Sequence, residues 1–253
     1  MEAKLSNLIL RARAWLKEAA NVTVLTGAGI SAESGVPTFR GAAALWKQFR
    51  AEDLATPEAF RRDPLLCWEW YNWRRAVLST VRPNPGHYAL AELERRNPEF
   101  TLITQNVDGL HLEAGSERVL EIHGSIWSLR CTECKREWID RRVPLELPPL
   151  CATCNGLARP GVVWFGESLN LQTWAAAETA AWNPDVFLVV GTSAQVYPAA
   201  GLVSLARDGG AKIIEVNLEP TPVSELVDCV LNGKSGEILP AVIGTAQEYG
   251  AGS

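Results

Sequence analysis

The sequence predicts an α/β protein in which a parallel sheet is covered by helices. Short runs of apolar, β-branched residues alternate with helical patterns along the chain, which is typical of consecutive strand–helix units. Such runs are expected of strands buried on both faces. A glycine-rich turn follows the first run directly. The strands are expected at 22–26, 100–104, 185–191 and 212–217.

The strand–helix alternation is interrupted twice. The first interruption is rich in glycine and alanine and then in tryptophan, and the second carries cysteines and prolines. We expect these insertions to build a second, smaller domain on the α/β domain. With 253 residues, the chain is long enough for both. The expected division is 1–40, 82–126 and 161–253 for the large domain, and 41–81 and 127–160 for the small domain.

The charge of the chain indicates which partners to expect. The net charge is −5 and the isoelectric point is about 5.4, which argues against a broad electrostatic contact with nucleic acid or with an anionic membrane. The first twenty residues place apolar side chains on one helical face, with charges between them. This segment is therefore expected to be neither a signal peptide nor a membrane span. We expect a cytoplasmic protein; its oligomeric state stays open, with a monomer favoured.

Four of the six cysteines form two C-x-x-C pairs, Cys131 with Cys134 and Cys151 with Cys154. Thiolates at this spacing close a tetrahedron around Zn²⁺ and leave no position for water, so one structural zinc is expected per chain. The pairs also favour a reducing compartment over a disulfide framework. An alternative interpretation is a zinc ribbon that binds nucleic acid. The mixed charges of the segment argue against it, but its basic residues keep it open; they are Arg130, Lys135, Arg136, Arg141 and Arg142.

The glycine-rich turn at 27–32 reads Gly-Ala-Gly-Ile-Ser-Ala and satisfies the G-x-G-x-x-G/A dinucleotide fingerprint after a strand. Its glycines let the backbone approach a pyrophosphate, whose charge the amides of a helix N-terminus then meet. A tight strand-to-helix turn without a ligand explains the isolated motif equally well. Two further polar segments favour the nucleotide, because 191–193 and 217–219 also follow apolar strands, at the edge where open α/β sheets bind ligands.

Five blocks together resemble the sirtuin family in order and spacing, over nearly the whole chain. They are the segment 27–40, the segments Thr104–His111 and Glu121–Gly124, the four cysteines and 191–193. The resemblance implies a Rossmann-type large domain, a small domain made of a zinc ribbon and a helical insertion, and a cleft between them for NAD and acyl-lysine protein substrates. It also implies transfer of the acyl group from lysine to the ADP-ribose of NAD, with release of nicotinamide.

The resemblance also implies roles for individual residues. His123 corresponds to the catalytic base, a role that suits imidazole because its unperturbed pKa of ~6.5 lies close to working pH. Asn106 is the second catalytic residue, whereas the histidines at 87 and 111 are expected to be structural. Contacts to the substrate backbone fall on Val163, Trp164, Phe165, Gly166, Glu167, Val196 and Tyr197. Cofactor contacts fall on Gly27, Ala28, Gly29, Ile30, Ser31, Glu33, Thr38, Phe39, Arg40, Trp46, Gln105, Asn106, Val107, Asp108, Gly191, Thr192, Ser193, Asn217, Leu218, Glu219 and Ser235.

A Tyr-x-x-Arg pair in the tryptophan-rich segment indicates the kind of acyl group. Tyr71 and Arg74 are three positions apart and therefore share a helical face, where a phenol and a guanidinium fork suit a carboxylate at the end of a short acyl chain. The pair matches desuccinylase-type sirtuins, and so do the small Ala51 and Ala55 and the Thr38 that stands where other sirtuins have Asp. From the helix alone, a core tyrosine and a solvated arginine explain the pair better.

The resulting hypothesis is an NAD-dependent deacylase that removes succinyl, malonyl and glutaryl groups, with weaker deacetylation. Two alternatives keep the cofactor: an enzyme that is mainly a deacetylase, and one that transfers a single ADP-ribose to protein. A third alternative is a zinc-ribbon binding module without catalysis. His123, Asn106 and Asp108, all present, argue against the third.

Overall fold

The computed structural model describes residues 2–37 and 49–244. Nine strands occur in this part of the chain: β1 Asn21–Thr26, β2 Glu99–Thr104, β3 Val119–Glu121, β4 Gly124–Cys131, β5 Glu137–Ile139, β6 Ala158–Val162, β7 Val186–Val190, β8 Lys212–Asn217 and β9 Cys229–Asn232. The described helices are α1 Glu2–Glu18, α2 Ala28–Ala32, α3 Ala51–Leu54, α4 Pro57–Arg62, α5 Pro64–Thr80, α6 Pro85–Arg96, α7 Leu110–Glu113, α8 Leu171–Trp182, α9 Gly201–Asp208 and α10 Ser235–Ile243.

The large sheet has six strands in the order β3-β2-β1-β7-β8-β9, and every neighbouring pair is parallel. The chain leaves β1 toward β2 on one side, and leaves β7 toward β8 on the other. The order therefore reverses direction between β1 and β7. This is the topology of a Rossmann-type sheet, in which ligands bind at the carboxyl ends of the strands on either side of the reversal.

The strands form because their residues are buried on both faces of the sheet. One face buries residues such as Val24 and Leu188 together with α1, α6 and α10. The other buries Leu25, Phe187 and Ile213 with α8 and α9. The helices thus lie on both faces, as the sequence predicts. The four predicted strands are present with shifts of one residue at most at either end.

Proline starts three consecutive helices, α4, α5 and α6, each after a residue whose side chain accepts a hydrogen bond from a backbone amide of the first turn. These capping residues are Thr56, Asp63 and Asn84. Proline suits the first helical position because it has no amide hydrogen to satisfy there. The caps fix where α5 and α6 begin, and both helices carry residues that reach the candidate site.

A second sheet is antiparallel, with the order β5-β4-β6. Its core is shared with α3, α4 and α5, since Trp68 and Tyr71 pack in one cluster with Leu129 and Trp164. Arg75 of α5 is fully buried and donates hydrogen bonds to the backbone carbonyls of Ile126, Asp140 and Arg142. This arginine therefore ties the helical insertion to the cysteine-bearing sheet.

The assignment of 41–81 and 127–160 to a separate domain stays a prediction. Within the described ranges, none of the helices combines the length and the apolarity that a bilayer span requires.

Candidate functional site

The glycine-rich turn lies at the reversal point of the large sheet. Its amides contact the adjacent strand end, with Gly27 N donating to Val190 O at 3.0 Å and Gly29 N to Gly191 O at 2.7 Å. A Cβ atom on Gly29 would lie 2.6 Å from Gly191 O, and one on Gly191, whose φ is +56°, would lie 2.3 Å from Ile30 N. Only glycine fits where the backbone of the turn packs directly on the backbone at Gly191. This close packing places the start of α2 at the opening of the crevice.

Asn106 is held against this turn from the neighbouring strand end. Its amide Nδ2 donates to Gly27 O and to Ser31 Oγ, both at 3.1 Å. Its backbone amide donates to Thr104 Oγ1 at 3.1 Å. Asn106 and Ser31 are both buried. The side chain of Asn106 is thus held by two partners from the glycine-rich turn and α2, and its backbone by a third partner at the end of β2.

Asp108 is a buried carboxylate beside this cluster. Its Oδ1 accepts from Leu110 N at 2.9 Å. Burial raises the pKa of Asp108, and the hydrogen bonds from Leu110 and Ser31 and the charge of Arg74 oppose that rise. Burial, together with the charge of Asp108, raises the pKa of nearby Glu121 to about 7. The site therefore holds two carboxyl groups in a region poor in water.

His123 lies in the turn between β3 and β4. Its Nδ1 is 3.0 Å from the carbonyl oxygen of Gln105, and because a carbonyl only accepts, Nδ1 carries the proton. The lone pair is then on Nε2. Burial lowers the pKa of His123, and the hydrogen bond to Gln105 opposes that shift. The ring is consequently neutral near pH 7 and has the protonation state of a general base.

The other two histidines lie beneath the site. His87, the third residue of α6, accepts from Asn84 N through Nδ1 at 3.3 Å and places Nε2 3.4 Å from Ser31 Oγ. His111 places Nε2 3.0 Å from Thr26 Oγ1, and the two imidazole rings are 4.9 Å apart. Burial lowers the pKa of both, that of His87 to about 4. Both are therefore neutral near pH 7, and their structural role stays a prediction.

The contact of His87 with Ser31 was not predicted. The available signal was the capping box from Asn84 to His87, which turns the histidine back toward the start of its helix.

The ends of β2, β7 and β8 are joined by polar side chains. Gln105 Nε2 donates to Thr192 Oγ1 at 2.9 Å, and Asn217 Nδ2 donates to Thr192 O at 2.8 Å. Asn217 Oδ1 accepts from Leu218 N, whose side chain is exposed. The sequence-predicted cofactor residues of three separate segments are thus brought together at one edge.

Glu33 and Ser235 are also brought together, on the other side of the turn. Glu33 Oε1 accepts from Gly236 N at 3.0 Å, at the start of the helix α10 whose first residue is Ser235. Glu215 was missed by the sequence reasoning: it is buried in β8 and accepts from the hydroxyls of Thr221 and Ser224, so it closes the loop that carries Leu218 and Glu219. No local sequence signal identifies a carboxylate buried in an apolar strand.

The predicted substrate segment 163–167 begins beside His123, since Val163 N donates to His123 O at 2.9 Å. Phe165 N donates to Ala55 O at 3.0 Å, so the backbone of Ala55 supports this segment. The side chain of Phe165 is exposed, and those of Val196 and Tyr197 in the second predicted segment are exposed as well. Both segments thus offer apolar surface to solvent.

The four cysteines form one cluster. Their sulfur atoms all lie within 4.8 Å of one another, with Cys131 and Cys154 at 3.4 Å and Cys134 and Cys151 at 3.7 Å. Sulfurs around zinc at ~2.3 Å are ~3.8 Å apart in a regular tetrahedron. The cluster therefore fits one structural zinc with four thiolate ligands and no open position.

Four predicted cofactor residues, Thr38, Phe39, Arg40 and Trp46, lie outside the described residues. The remaining features define a class. A parallel sheet with a glycine turn at its reversal point, a neutral histidine at the sheet edge and a four-cysteine zinc site is the architecture of a dinucleotide-binding α/β protein with a structural metal module.

Comparison with known proteins narrows this class. The Sir2 family matches residues 27–198. A protein of Pyrobaculum aerophilum named NAD-dependent protein deacylase 2 is 52% identical over 228 residues, covering 90% of this chain and 92% of the relative. An NAD-dependent protein deacylase of Aquifex aeolicus is 52% identical over 233 residues, covering 91% and 98%.

Solved structures agree. A complex of a Sir2 homologue with NAD superposes with a TM-score of 0.88 at 43% identity, covering 93% of each chain. The protein Sir2Af2 bound to a myristoylated histone peptide superposes with a TM-score of 0.77 at 37% identity, covering 96% of each chain. The chain belongs to the Sir2 family of sirtuins. It is an NAD-dependent protein deacylase with one structural zinc site.

Proposed function

We propose that this deacylase prefers acidic acyl groups on lysine, namely succinyl, malonyl and glutaryl, and removes acetyl more slowly. The observation that carries the proposal is the pairing of Tyr71 and Arg74 on one face of α5. The names of the relatives specify no acyl group, and family structures contain both acetylated and myristoylated ligands. The acyl preference therefore depends on the residues of this chain.

The surroundings of the pair suit a carboxylate. Tyr71 is 1% exposed and Arg74 is half-buried. Burial lowers the pKa of Arg74, and the neighbouring Tyr71 and Asp108 oppose that shift. The guanidinium also lies 5.1 Å from the ring of Trp70. A carboxylate that reaches this pair loses most of its water, which strengthens its bonds to a cation and a phenol.

The small size of neighbouring side chains also supports a preference for acidic acyl groups. Ala51 and Ala55 are buried in the same cluster as Tyr71. Methyl side chains leave room for an acyl chain with a terminal carboxylate, whereas an acetyl group offers the pair nothing to bind. The helix-based alternative, a core tyrosine beside a solvated arginine, does not account for the half-buried Arg74. The residue that serves purely as structure is the next one, Arg75.

The proposed residue roles follow from the geometry. NAD supplies the ADP-ribose that accepts the acyl group. His123 accepts a proton at Nε2 while Nδ1 remains bonded to Gln105 O. Asn106 and Asp108 orient the nicotinamide end through an amide and a carboxylate that α2 and α7 hold in place. Gln105, Thr192, Ser193, Asn217 and Glu219 bind the ribose and adenosine portions, and 163–167 with 196–197 bind the substrate backbone between them as an added strand.

The first experiment compares kcat/KM for one peptide carrying succinyl-, malonyl-, glutaryl- or acetyl-lysine, with and without NAD. We expect an NAD-dependent preference for the acidic groups. Tyr71→Phe and Arg74→Met should each lower succinyl turnover by about 10- to 100-fold, because each removes a bond to a charged group worth about 1.5–3 kcal/mol. Acetyl turnover should change by less than about threefold.

Arg61→Met is the matched control, since Arg61 is an exposed arginine of the same helical insertion that bonds Glu58 and the carbonyl of Pro57, both within its own helix. It should leave the acyl preference unchanged. A wild-type protein that prefers acetyl-lysine would contradict the proposed acidic acyl preference. Radiolabelled NAD distinguishes the remaining alternative, because label from the ADP-ribose that stays on the protein product would indicate ADP-ribosyl transfer instead of deacylation.

A further inference from the structure

The hydroxyl of Tyr71 already has one partner. The indole Nε1 of Trp164 lies 2.9 Å from Tyr71 Oη. An indole nitrogen only donates, so the phenol oxygen must be the acceptor in this bond. The proton of the Tyr71 hydroxyl consequently points away from Trp164. Burial raises the pKa of Tyr71 to about 12, so that proton stays in place at neutral pH.

Trp164 is itself held on several sides. The guanidinium of Arg159 lies 3.5 Å from the centroid of its ring. Arg159 in turn binds both carboxylate oxygens of Glu167, at 2.6 and 2.8 Å, and Glu167 accepts from Trp164 N at 2.9 Å. The ring of Phe60 also packs against the indole, at a centroid distance of 5.1 Å. The direction of the indole N–H is therefore set before substrate binds.

We propose that Trp164 determines acyl specificity by fixing the Tyr71 hydroxyl as a hydrogen-bond donor toward the acyl pocket. The inference rests on the proposed acidic preference and deepens it. A carboxylate can only accept hydrogen bonds, so a hydroxyl whose proton already points toward it stabilises its binding. An acyl group without a polar end gains nothing from that orientation. Trp164 is thus a positioning residue that acts through Tyr71, and its backbone lies in the segment predicted to bind the peptide.

The test is Trp164→Phe, which keeps an aromatic ring beside Arg159 and Phe60 and removes the N–H. We measure kcat/KM with succinyl-, butyryl- and acetyl-lysine on one peptide, butyryl serving as the uncharged analogue of nearly the same length. We expect succinyl turnover to fall by about tenfold, the effect of one hydrogen bond to a charged ligand. Because Trp164 belongs to the segment that binds the peptide, the expectation is a ratio: kcat/KM for succinyl relative to butyryl and to acetyl should fall by about tenfold.

A double-mutant cycle tests the positioning role of Trp164 separately from the proposed acidic acyl preference. In a Tyr71→Phe background, Trp164→Phe should have no further effect on succinyl turnover, because there is no hydroxyl left to orient. If wild type lacks the acidic preference, the proposed function fails. If wild type has it and Tyr71→Phe removes it, but Trp164→Phe retains it, the inference fails while the function stands. An equal loss for all three acyl groups also overturns the inference, because Trp164 then acts through peptide binding.

Thermal unfolding and KM for NAD check that Trp164→Phe is folded. Should it unfold, 3-benzothienylalanine at position 164 replaces the N–H by sulfur with the two-ring shape kept. The same tenfold loss, confined to succinyl, is then expected; unchanged succinyl turnover in that variant overturns the inference.

Discussion

One hydrogen bond at His123 decides which ring nitrogen can act as a base. Because Nδ1 donates to the carbonyl of Gln105, the lone pair is on Nε2. The sequence alone identified the histidine but not its tautomer. That detail depends on a carbonyl eighteen residues earlier in the chain, on the adjacent strand end.

The pKa of His123 predicts the acid limb of the pH profile. Burial lowers this pKa below its ordinary value of 6.5, and a base must be neutral to act. We expect kcat/KM to stay level as pH falls through 6.5 and to decline only at lower pH. The measurement is a pH–rate profile with succinyl-lysine peptide. His123→Ala should lower kcat/KM by about 10²- to 10⁴-fold on the level part of the profile and should remove the acid limb. An acid limb with a midpoint above 6.5 would contradict the assignment.

Contacts at the residue scale are also where sequence reasoning reached its limit. The sequence motifs include Tyr71, Arg74 and Trp164, but the bond between Trp164 and Tyr71 joins residues 93 positions apart. The contact of His87 with Ser31 likewise joins residues 56 positions apart, whereas Glu215 was missed because a buried carboxylate in an apolar strand has no local signal. Pattern and spacing predict which residues face one way along an element, whereas partners across elements come from packing.

On the scale of elements, α5 has two neighbouring arginines with different roles. Arg74 faces Tyr71 and Asp108, while Arg75 lies over Trp127 and binds three backbone carbonyls of the cysteine-bearing sheet. Successive helical residues point about 100° apart, so one helix serves the acyl site and the second sheet at once. No sequence pattern indicates the role of Arg75.

The two arginines predict a contrast in stability. Arg75→Met should lower the free energy of unfolding by about 3 kcal/mol, since three buried carbonyls lose their donor. Arg74→Met should cost less than half of that while it removes succinyl selectivity. Urea unfolding of both variants, with activity assayed in parallel, is the measurement. Equal stability losses would show that Arg74 is a structural residue of the same kind as Arg75.

The strands show which elements a sequence can predict. The four predicted strands are the central ones, which are mostly buried on both faces and are therefore rich in apolar and β-branched residues. The two unpredicted strands of the large sheet, β3 and β9, are its edges, with three and four residues. An edge strand has one neighbour and less burial, so its apolar signal is short and merges with the loops around it.

For the molecule as a whole, the zinc site is expected to be necessary for both stability and catalysis. A chelator that removes the metal should lower the unfolding temperature and abolish deacylation together. The reason is that the zinc site holds together the antiparallel sheet that packs on α5. Cys134→Ser should lower the zinc content well below one per chain. The measurements are metal analysis and thermal unfolding. Full activity without metal would contradict the expectation.

Cys67→Ser is the control for this experiment. Cys67 is a buried thiol of α5 that contacts the carbonyl of Leu54, away from the metal cluster. Its replacement should retain one zinc per chain.

The strand β4 has a mechanical consequence. It begins at Gly124, the residue after His123, and ends at Cys131, the first zinc ligand. The base and the first zinc ligand thus lie at opposite ends of one strand, roughly 26 Å long at ~3.3 Å per residue, whose pairing with β6 shifts register between Gly124 and Leu129. No slack chain separates them. A rotation of the zinc-bearing sheet would therefore be transmitted along the backbone of β4 to His123. The rigidity of the zinc site is thus expected to influence how precisely the base is positioned.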